Sequence, residues 1–401
     1  MSDGVKGASE SDHLHARARA MVRAFEAGAA MPETFDALAV ALVRFQAARV
    51  PGYGRLCAAR GVDPARVERA SEAPAVPTDA FKMAGVFAFD AATATAVFRT
   101  SGTTIGARGT HAMRDVATYD AAALAFGRAM LAPAPGDSPS SPVAGRPAVL
   151  VLGPSDAEAP DSSLAHMCAL FARAMAPAQP PDATFFVRGG ALDVPGLRRR
   201  VAALAAAAAP GATASTTVPA TAAATPPAIV LATSFALVHL LDALGGARVP
   251  LPPGSRVMQT GGFKGKSREV DAGELRGQVA GTFGVDERDV VGEYGMTELS
   301  SQFWEGTARD RRAAPGVYVE RPWARVVAVH PETLEPVADG EVGLARIEDL
   351  ANVDSAFAVQ TQDRVRRVAG GFELLGRSPG APPRGCSIAL DEMLGAARSG
   401  P

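Results

Sequence analysis

The stretch IVLATSFALVHLLDAL, residues 229–244, joins a short apolar run directly to a helical pattern. Residues 229–233 have the length of a buried strand, and residues 235–244 place apolar side chains at helical spacing. The same order occurs on both sides of it, at 148–152 followed by 164–175 and at 257–260 followed by 274–283. Strands that alternate with helices are typical of an α/β sheet with right-handed crossovers. We therefore predict an α/β fold.

The regions outside this alternation have different patterns. Residues 12–49 carry apolar residues at helical spacing, which predicts helices at the start of the chain. After Gly316 four strand patterns follow, at 324–329, 343–347, 357–361 and 372–375, with glycines between them. Stretches rich in proline and alanine, at 133–147, 176–182 and 210–227, are predicted to be surface loops. We predict an α/β core over residues 1–315 and a β-rich carboxyl-terminal portion over 316–401.

Composition limits the classes of partner. The 40 basic and 42 acidic residues nearly cancel, so the chain has no field that would attract nucleic acid or an anionic membrane. Its three cysteines are widely spaced, which disfavours a disulfide framework or a zinc cluster. No apolar run reaches the roughly 18 residues of a membrane span, and the first residues lack the apolar core of a signal peptide. We expect a cytoplasmic protein without a membrane span and without a nucleic-acid partner.

The segment FRTSGTTIGARGTH, residues 98–111, concentrates glycines and hydroxyl groups after an apolar strand pattern. A glycine-containing loop can direct its amides to one point, and Thr100, Ser101, Thr103 and Thr104 add hydroxyl donors. This combination suits a polyphosphate, although it lacks the GK[ST] end of a Walker loop. An ordinary polar turn is the alternative.

Three further segments place polar or glycine residues at predicted strand ends. In VVGEYGMTE, residues 290–298, Glu298 is suited to Mg²⁺ and Tyr294 to stacking on a base; a solvated glutamate and a core tyrosine are the alternatives. In MQTGGFKGK, residues 258–266, paired glycines allow a flat ligand to approach, and a turn with exposed lysines is the alternative. Asp363 and Arg377 lie at the edges of two later strands, where a surface ion pair would also explain them.

The order of these segments resembles the adenylate-forming superfamily, which includes acyl-CoA ligases and firefly-type luciferases, over residues 98–377. The resemblance implies ATP and Mg²⁺ as cofactors. The residues it implies for the β and γ phosphates are Thr100, Ser101, Gly102, Thr103, Thr104 and Gly106. Those it implies around the adenine are Gly261, Gly262, Phe263, Tyr294 and Gly295. It further implies that Thr297 contacts the α phosphate, that Glu298 holds Mg²⁺, and that Asp363 and Arg377 hold the ribose and the neighbouring phosphate.

The end of the chain resembles one branch of this superfamily. The superfamily usually has a mobile carboxyl-terminal domain with a catalytic lysine, but only residues 378–401 follow Arg377 and none is lysine, so we expect no full mobile lid domain. A SGTT loop followed by His111, a GG-aromatic-lysine segment ending at Lys264, a YGMTE motif and a GCS motif at 385–387 resemble the LuxE-type acyl-protein synthetase family. The resemblance implies that Cys386 receives the acyl group from acyl-AMP and passes it to a partner acyl reductase.

Three residues are therefore candidates for catalysis. A thiolate is a strong nucleophile toward a mixed anhydride, and a helical pattern at 388–397 with Arg384 nearby predicts a lowered pKa for the Cys386 thiol on a mobile tail. A buried, inert cysteine is the alternative, as we predict for Cys57 and Cys168. Lys264 would supply positive charge in place of the missing lysine, and His111 would orient a phosphate or act as a base.

The sequence thus predicts an ATP-dependent ligase that activates a carboxylic acid, with a fatty acid implied by the resemblance, and transfers it to Cys386 as a thioester. Two alternatives stay open. One is an acid–thiol ligase that delivers the acyl group to CoA or a carrier protein. The other is a noncatalytic subunit that binds a nucleotide or an acyl ligand.

Overall fold

The computed structural model describes residues 2–83, 85–100, 108–132, 146–206, 226–261, 270–379 and 384–395. Within these ranges the helices are α1 Ser2–Glu26, α2 Phe35–Arg49, α3 Pro51–Ala59, α4 Ala80–Met83, α5 Ala117–Leu131, α6 Ser163–Met175, α7 Val194–Ala206, α8 Ser234–Leu244, α9 Ala272–Phe283 and α10 Arg384–Leu394. The strands are β1 Val76–Pro77, β2 Ala96–Arg99, β3 Thr110–Met113, β4 Ala148–Leu152, β5 Val187–Arg188, β6 Ala191–Leu192, β7 Ala228–Thr233, β8 Arg256–Thr260, β9 Val290–Tyr294, β10 Phe303–Glu305, β11 Val317–Val319, β12 Ala324–Val329, β13 Val342–Asp349, β14 Ala358–Val368 and β15 Gly371–Arg377.

Four parallel strands form the part of the sheet that the alternating pattern predicts. They are arranged in the order β4, β7, β8, β9, and each pairs in parallel with the next. Side chains alternate between the two faces of a strand, so Ile229 and Leu231 join one core while Val230 joins the other. Helices cover both faces of these strands, which is why the strands are apolar runs with no alternation to polar residues. The predicted α/β fold is confirmed.

The carboxyl-terminal strands extend this same sheet. β10 pairs antiparallel with β9, and β11, β15, β14, β13 and β12 follow in that order, each antiparallel to its neighbour. β1 joins the side of β14 in parallel, with Val76 opposite Val359. This pairing brings a segment from the first quarter of the chain to the carboxyl-terminal strands. The domain boundary at residue 315 stays a prediction.

The turn from β7 into α8 has no intervening loop. Thr233 is the last residue of the strand and also the N-cap of the helix, because its hydroxyl accepts a hydrogen bond of 3.1 Å from the amide of Ala236. The helix ends at Gly245, which adopts a left-handed conformation with φ of 55°. The N-cap hydrogen bond and the direct connection to α8 therefore fix the backbone at Thr233 and at Ser234, the first residue of the helix.

Helix α10 begins earlier than its sequence pattern predicts. It spans Arg384–Leu394, one turn ahead of the predicted start at residue 388, so the predicted start was wrong. Cys386, Ala389 and Met393 are buried and Leu390 packs beside them, which is the spacing of one helical face. Gly385 permits the early start because a Cβ there would lie 2.9 Å from the carbonyl oxygens of residues 331 and 332. Cys386 therefore lies within the helix and not ahead of it.

None of the helices in the described ranges is both long enough and apolar enough to cross a membrane.

Candidate active site

The parallel strands end at one edge of the sheet, where polar groups meet. The hydroxyl of Ser234, at the start of α8, donates a hydrogen bond of 2.7 Å to the carbonyl oxygen of Gly261, just past β8. The side-chain amide of Gln259 donates to the same hydroxyl at 3.3 Å. Gly261 has a φ of 69°, which favours glycine at this turn. The predicted adenine segment thus begins at a turn that is tied to the neighbouring strand end.

Tyr294 and Asp363 meet across this edge. The Tyr294 hydroxyl donates a hydrogen bond of 2.8 Å to Oδ2 of Asp363. Tyr294 lies in an aromatic cluster with Phe303, Tyr318 and Phe372, and burial raises the pKa of its hydroxyl well above the usual range. The hydroxyl therefore stays protonated and serves as a donor, which fixes one oxygen of the carboxylate.

Arg377 lies on the other side of Asp363. The two residues are paired in register between β14 and β15, and Nε of Arg377 is 3.9 Å from Oδ1 of Asp363. The guanidinium is well exposed, with 69% of the side chain accessible, whereas Asp363 is largely buried. The structure thus brings together Tyr294, Asp363 and Arg377, which the sequence analysis had assigned to one nucleotide site.

Glu298 lies beside these residues and is buried. Burial raises the pKa of its carboxyl, while its own backbone and the positive charges of Lys82 and Arg377 lower it and the charge of Asp363 raises it. Gly295, between Tyr294 and Glu298, has no room for a side chain, because a Cβ there would lie 2.5 Å from Oε1 of Glu293. A side chain at residue 295 would therefore have to displace the carboxylate of Glu293.

His111 links the β2–β3 hairpin to this turn. It is buried on β3, and its Nδ1 lies 2.8 Å from the carbonyl oxygen of Thr297. Burial lowers the pKa of the imidazole to about 4, so the ring is neutral at ordinary pH and Nδ1 must carry the proton that it donates. This contact positions the backbone at Thr297. A direct part for His111 in catalysis stays a prediction.

Only the base of the predicted phosphate loop lies within the described residues. The amide of Thr100 donates to the carbonyl oxygen of Gly109, and the amide of Gly109 donates to the Thr100 hydroxyl, both at 2.9 Å. Nε of Arg108 donates to the carbonyl oxygen of Thr100 at 2.6 Å. These bonds close the loop at its base beside His111. Other predicted ligands lie outside the described residues: Ser101, Gly102, Thr103, Thr104, Gly106, Gly262, Phe263 and Lys264.

An apolar pocket of about 530 Å³ opens at the same edge of the sheet. Its walls come from β4, β7, β8, the β5–β6 hairpin and the helices α6, α7 and α8, and most of the lining side chains are aliphatic or aromatic. The lining includes Gly153, Cys168, Leu231, Thr233, Phe235 and His239. Thr233 precedes Ser234, whose hydroxyl binds the backbone of Gly261, so the pocket adjoins the predicted adenine segment. A pocket of this size and character accommodates a small molecule with an apolar body.

Comparison with known proteins finds a family match within residues 235–395. These residues match the family model described as acyl-protein synthetase, LuxE. This part of the chain is thus similar to acyl-protein synthetases of the LuxE type. A curated relative, the long-chain-fatty-acid–luciferin-component ligase of Aliivibrio fischeri, is 28% identical over 137 residues, which are 34% of this chain and 33% of that protein. The match therefore spans about a third of the relative's length.

Solved structures of an acyl-CoA ligase share the fold of this chain. The 2-hydroxyisobutyryl-CoA ligase in its postadenylation state with 2-HIB-AMP superposes with a TM-score of 0.57 at 13% identity, covering 85% of this chain and 67% of that chain. An open conformation of the same ligase with 2-HIB-AMP and CoA gives a TM-score of 0.55 at 14% identity, covering 85% and 74%. The predicted adenylate-forming type of α/β fold is confirmed.

Cys386 lies inside the segment that matches the family model and is buried. Its side chain packs with Val329 and Leu344. Burial, together with the negative charge of Asp79, raises the pKa of the thiol to about 11. The expected lowering of this pKa by a helix start and Arg384 was therefore wrong, because desolvation of the thiolate outweighs both. Where α10 is docked, the Cys386 thiol is therefore largely protonated at neutral pH.

Asp79 and Lys82 were not assigned to the site from the sequence. Nζ of Lys82 lies 2.7 Å from Oδ1 of Asp79, and Oδ2 of Asp79 accepts a hydrogen bond of 3.3 Å from Gln362, next to Asp363. Asp79 precedes α4 and Lys82 lies within it, and Asp79 is 283 residues from Gln362 in sequence. The scarcity of lysine, with four in the chain, is the signal in the sequence that could have drawn attention to Lys82.

Proposed function

We propose that this chain activates a carboxylic acid with ATP as an acyl adenylate, releasing pyrophosphate, and then transfers the acyl group to Cys386 as a thioester. The observation that carries the first step is the juxtaposition of two features at one sheet edge. The polar group formed by Tyr294, Glu298, Asp363 and Arg377 suits a nucleotide, and the apolar pocket beside it suits the tail of an acid. An enzyme that joins the two substrates needs both features within reach of each other.

The residues at the edge suit ATP. Asp363, held by Tyr294, is an acceptor for the ribose hydroxyls, and the exposed guanidinium of Arg377 is a donor for a phosphate. Two buried side-chain oxygens, Oε1 of Gln259 and Oε1 of Gln302, have no hydrogen-bond partner among the described residues. Such acceptors are suited to an amino group such as that of adenine. We assign the phosphates to the loop that begins at Thr100, with Thr297 at the α phosphate.

Glu298 would hold Mg²⁺ at the phosphates of ATP. Within the described ranges no cluster of three or more histidine, cysteine or acidic side chains could hold a metal by itself. Mg²⁺ at nucleotide sites needs only one or two carboxylates, because phosphates and water supply its other ligands. Bound there, the ion would neutralise charge on the phosphates as pyrophosphate leaves. Burial raises the pKa of Glu298, and the charges of Lys82 and Arg377 oppose that rise, as would a bound cation.

A fatty acid is the substrate that we favour. The pocket is lined mainly by apolar side chains, so it stabilises a hydrocarbon tail and offers little to a polar one. The name of the Aliivibrio fischeri relative, which includes a long-chain fatty acid, supports the same class. In the first step an oxygen of the carboxylate attacks the α phosphorus, an acyl–phosphate bond forms, and the bond to pyrophosphate breaks.

In the second step the thiolate of Cys386 attacks the carbonyl carbon of the adenylate. A carbon–sulfur bond forms, the bond to the phosphate oxygen breaks, AMP leaves, and the thiol proton passes to water. Because the thiol is buried and its pKa is about 11 where α10 is docked, this step requires α10 to leave that position. The acyl-protein synthetase description of the matched family supports the step. A reductase partner then accepts the acyl group, in keeping with the luciferin-component wording of the relative's name.

Intact-protein mass spectrometry with ATP, Mg²⁺ and carboxylic acids of increasing chain length tests the proposal. The variants are Cys386→Ser and, as the matched control, Cys57→Ala, since Cys57 is also a buried thiol whose pKa is raised to about 11. We expect an ATP-dependent adduct, labile to hydroxylamine, on the wild type and on Cys57→Ala but not on Cys386→Ser. Pyrophosphate should be released by all three proteins.

Other outcomes contradict parts of the proposal. Pyrophosphate release without an adduct, with acyl-CoA formed when CoA is supplied, would reject the role of Cys386 and indicate an acid–thiol ligase. ATP binding without pyrophosphate release for any acid would reject the enzymatic proposal and indicate a binding subunit.

A further inference from the structure

Lys82 is brought to the site by the pairing of β1 with β14. Pro77 pairs with Gln360, and the amide of Thr78 donates to the carbonyl oxygen of Gln360 at 3.0 Å. The short helix α4 follows at once, with Phe81 buried against the ring of His111 at a centroid distance of 5.8 Å. Phe81 anchors α4 in the core next to His111. The backbone of the next residue, Lys82, is therefore held in place.

The side chain of Lys82 lies along the base of the predicted phosphate loop. A Cβ built on Gly109 would be 3.6 Å from Cγ of Lys82 and 3.0 Å from Cγ2 of Thr100. The lysine stem therefore passes beside the two residues whose mutual hydrogen bonds close the loop. The charge of Lys82 also reaches the carboxylate of Glu298, where it opposes the rise in pKa that burial causes. Lys82 therefore lies beside the base of the loop that we assign to the phosphates, and within electrostatic range of the residue that we assign to Mg²⁺.

The contact of Lys82 with Asp79 does not by itself explain its position. The two residues form a pair three positions apart, with 44% and 22% of their side chains exposed. Exposed pairs of this kind contribute little to folding stability, because water screens the charges and two side chains must be ordered. An ion pair that is weak and open to solvent can also be exchanged readily for a stronger anion, such as a phosphate.

We propose that Lys82 is a catalytic residue of the adenylation step, a role that rests on the function proposed above. As the carboxylate of the acid substrate attacks, the ammonium group leaves Asp79 and binds an oxygen of the α phosphate. It acts through its positive charge and transfers no proton. The oxygen–phosphorus bond to the acid forms, the bond to pyrophosphate breaks, and Lys82 stabilises the negative charge on the phosphoryl group between them. In the absence of nucleotide, Asp79 holds the ammonium group near the proposed position of the α phosphate.

ATP–pyrophosphate exchange in the full chain, measured with Lys82→Ala and Lys82→Arg, tests the assignment. We expect kcat to fall about 100-fold or more in Lys82→Ala, with a much smaller change in KM for ATP, because the charge acts mainly in the transition state. Lys82→Arg keeps the charge and should recover part of kcat. Arg69→Ala is the matched control, since Arg69 and Glu72 also form an exposed pair three residues apart. Thermal unfolding should be nearly unchanged in all three variants.

Three results separate this inference from its alternatives. If Lys82→Ala retains exchange within about twofold of the wild type, the catalytic role is wrong while the adenylating function stands. Equal losses in Lys82→Ala and Arg69→Ala, accompanied by lowered melting temperatures, would overturn the role in favour of a structural one. If the wild type shows no exchange with any acid, the proposed function itself fails, and with it the reaction that Lys82 is inferred to catalyse.

Discussion

The hydroxyl of Tyr294 holds Oδ2 of Asp363 at 2.8 Å, across 69 residues of sequence and between two strands that are not adjacent in the sheet. In the order of the sheet, β10, β11 and β15 separate β9 from β14. The hydrogen bond fixes the orientation of a carboxylate whose other oxygen faces Arg377. The proposed ribose site therefore depends on a donor from the opposite part of the sheet.

Replacing Tyr294 by Phe should weaken ATP binding more than it slows the chemical step. Asp363 would lose the donor that orients it, and a hydrogen bond to a charged group contributes about 1.5–3 kcal/mol. We expect KM for ATP to rise about tenfold in pyrophosphate exchange, with little change in kcat. Tyr318→Phe is the matched control, because Tyr318 belongs to the same aromatic cluster and has no such bond to Asp363. Equal effects of the two substitutions would contradict a specific role for the bond.

His111 should act through the backbone of Thr297, which makes its replacement by Asn milder than its replacement by Ala. The amide of Asn can donate to the Thr297 carbonyl in place of Nδ1, whereas Ala leaves that buried carbonyl without its donor. Because burial lowers the pKa of His111 to about 4, the ratio of wild-type to His111→Asn exchange rates should be constant from pH 6 to 8. A ratio that changes with a midpoint near pH 6.5 would instead indicate that His111 acts as a base with an ordinary pKa.

The parallel half of the fold was predictable because its signals are local. β4, β7 and β8 are apolar runs bounded by turn residues, and a helical pattern follows each of them. The continuation of the sheet was less predictable, because β10 and β11 have three residues each. Strands this short do not show the alternation of apolar and polar residues by which strands are recognised in a sequence. Ordered motifs located Tyr294 and Arg377, which lie at strand ends, and also Asp363, although the expected strand edge there was wrong because β14 continues to Val368. Lys82 and the burial of Cys386 depend on contacts between distant segments, which no local pattern encodes.

The buried carboxyl of Glu293 should make folding stability depend on pH. Burial raises its pKa from 4.5 to about 7, opposed by a hydrogen bond from Thr260. Between pH 4.5 and pH 7 the Glu293 carboxyl is protonated in the folded state but ionised in the unfolded state, where its pKa is about 4.5. The free energy of unfolding therefore falls as the pH rises through this range. Glu293→Gln removes this dependence. We expect the variant to gain on the order of 2 kcal/mol relative to the wild type between pH 5 and pH 8.

Urea unfolding of both proteins at several pH values measures this difference, and other titrating groups cancel in the comparison. Glu274→Gln, an exposed acidic residue in the first turn of α9, is the control and should give parallel curves. If the curves of Glu293→Gln and the wild type also stay parallel from pH 5 to pH 8, Glu293 does not bind its proton in this range.

Self-acylation of Cys386 should accelerate with pH if the thiol reacts while α10 is docked. The pKa of about 11 leaves little thiolate at neutral pH, so the rate of adduct formation should rise about tenfold per unit from pH 7 to pH 9. The experiment preforms the acyl adenylate, shifts the pH and follows the adduct by mass spectrometry, with Cys386→Ser as the blank. Arg60→Ala serves as the second variant, since the bond of 2.5 Å between Arg60 and Glu392 holds α10 against α3.

The alternative in which α10 leaves its docked position gives a different profile. An exposed thiol has a pKa near 8.5, so the rate would level off between pH 8 and pH 9 instead of continuing to rise. Undocking would then limit the reaction at high pH, and Arg60→Ala, which weakens the attachment of α10, would raise that plateau several-fold. A continued rise with no effect of Arg60→Ala would contradict undocking. The two pH profiles thus distinguish a thiol that reacts while α10 is docked from one that reacts only after α10 leaves its position. Because Cys386 is buried against Val329 and Leu344, we expect the profile that levels off.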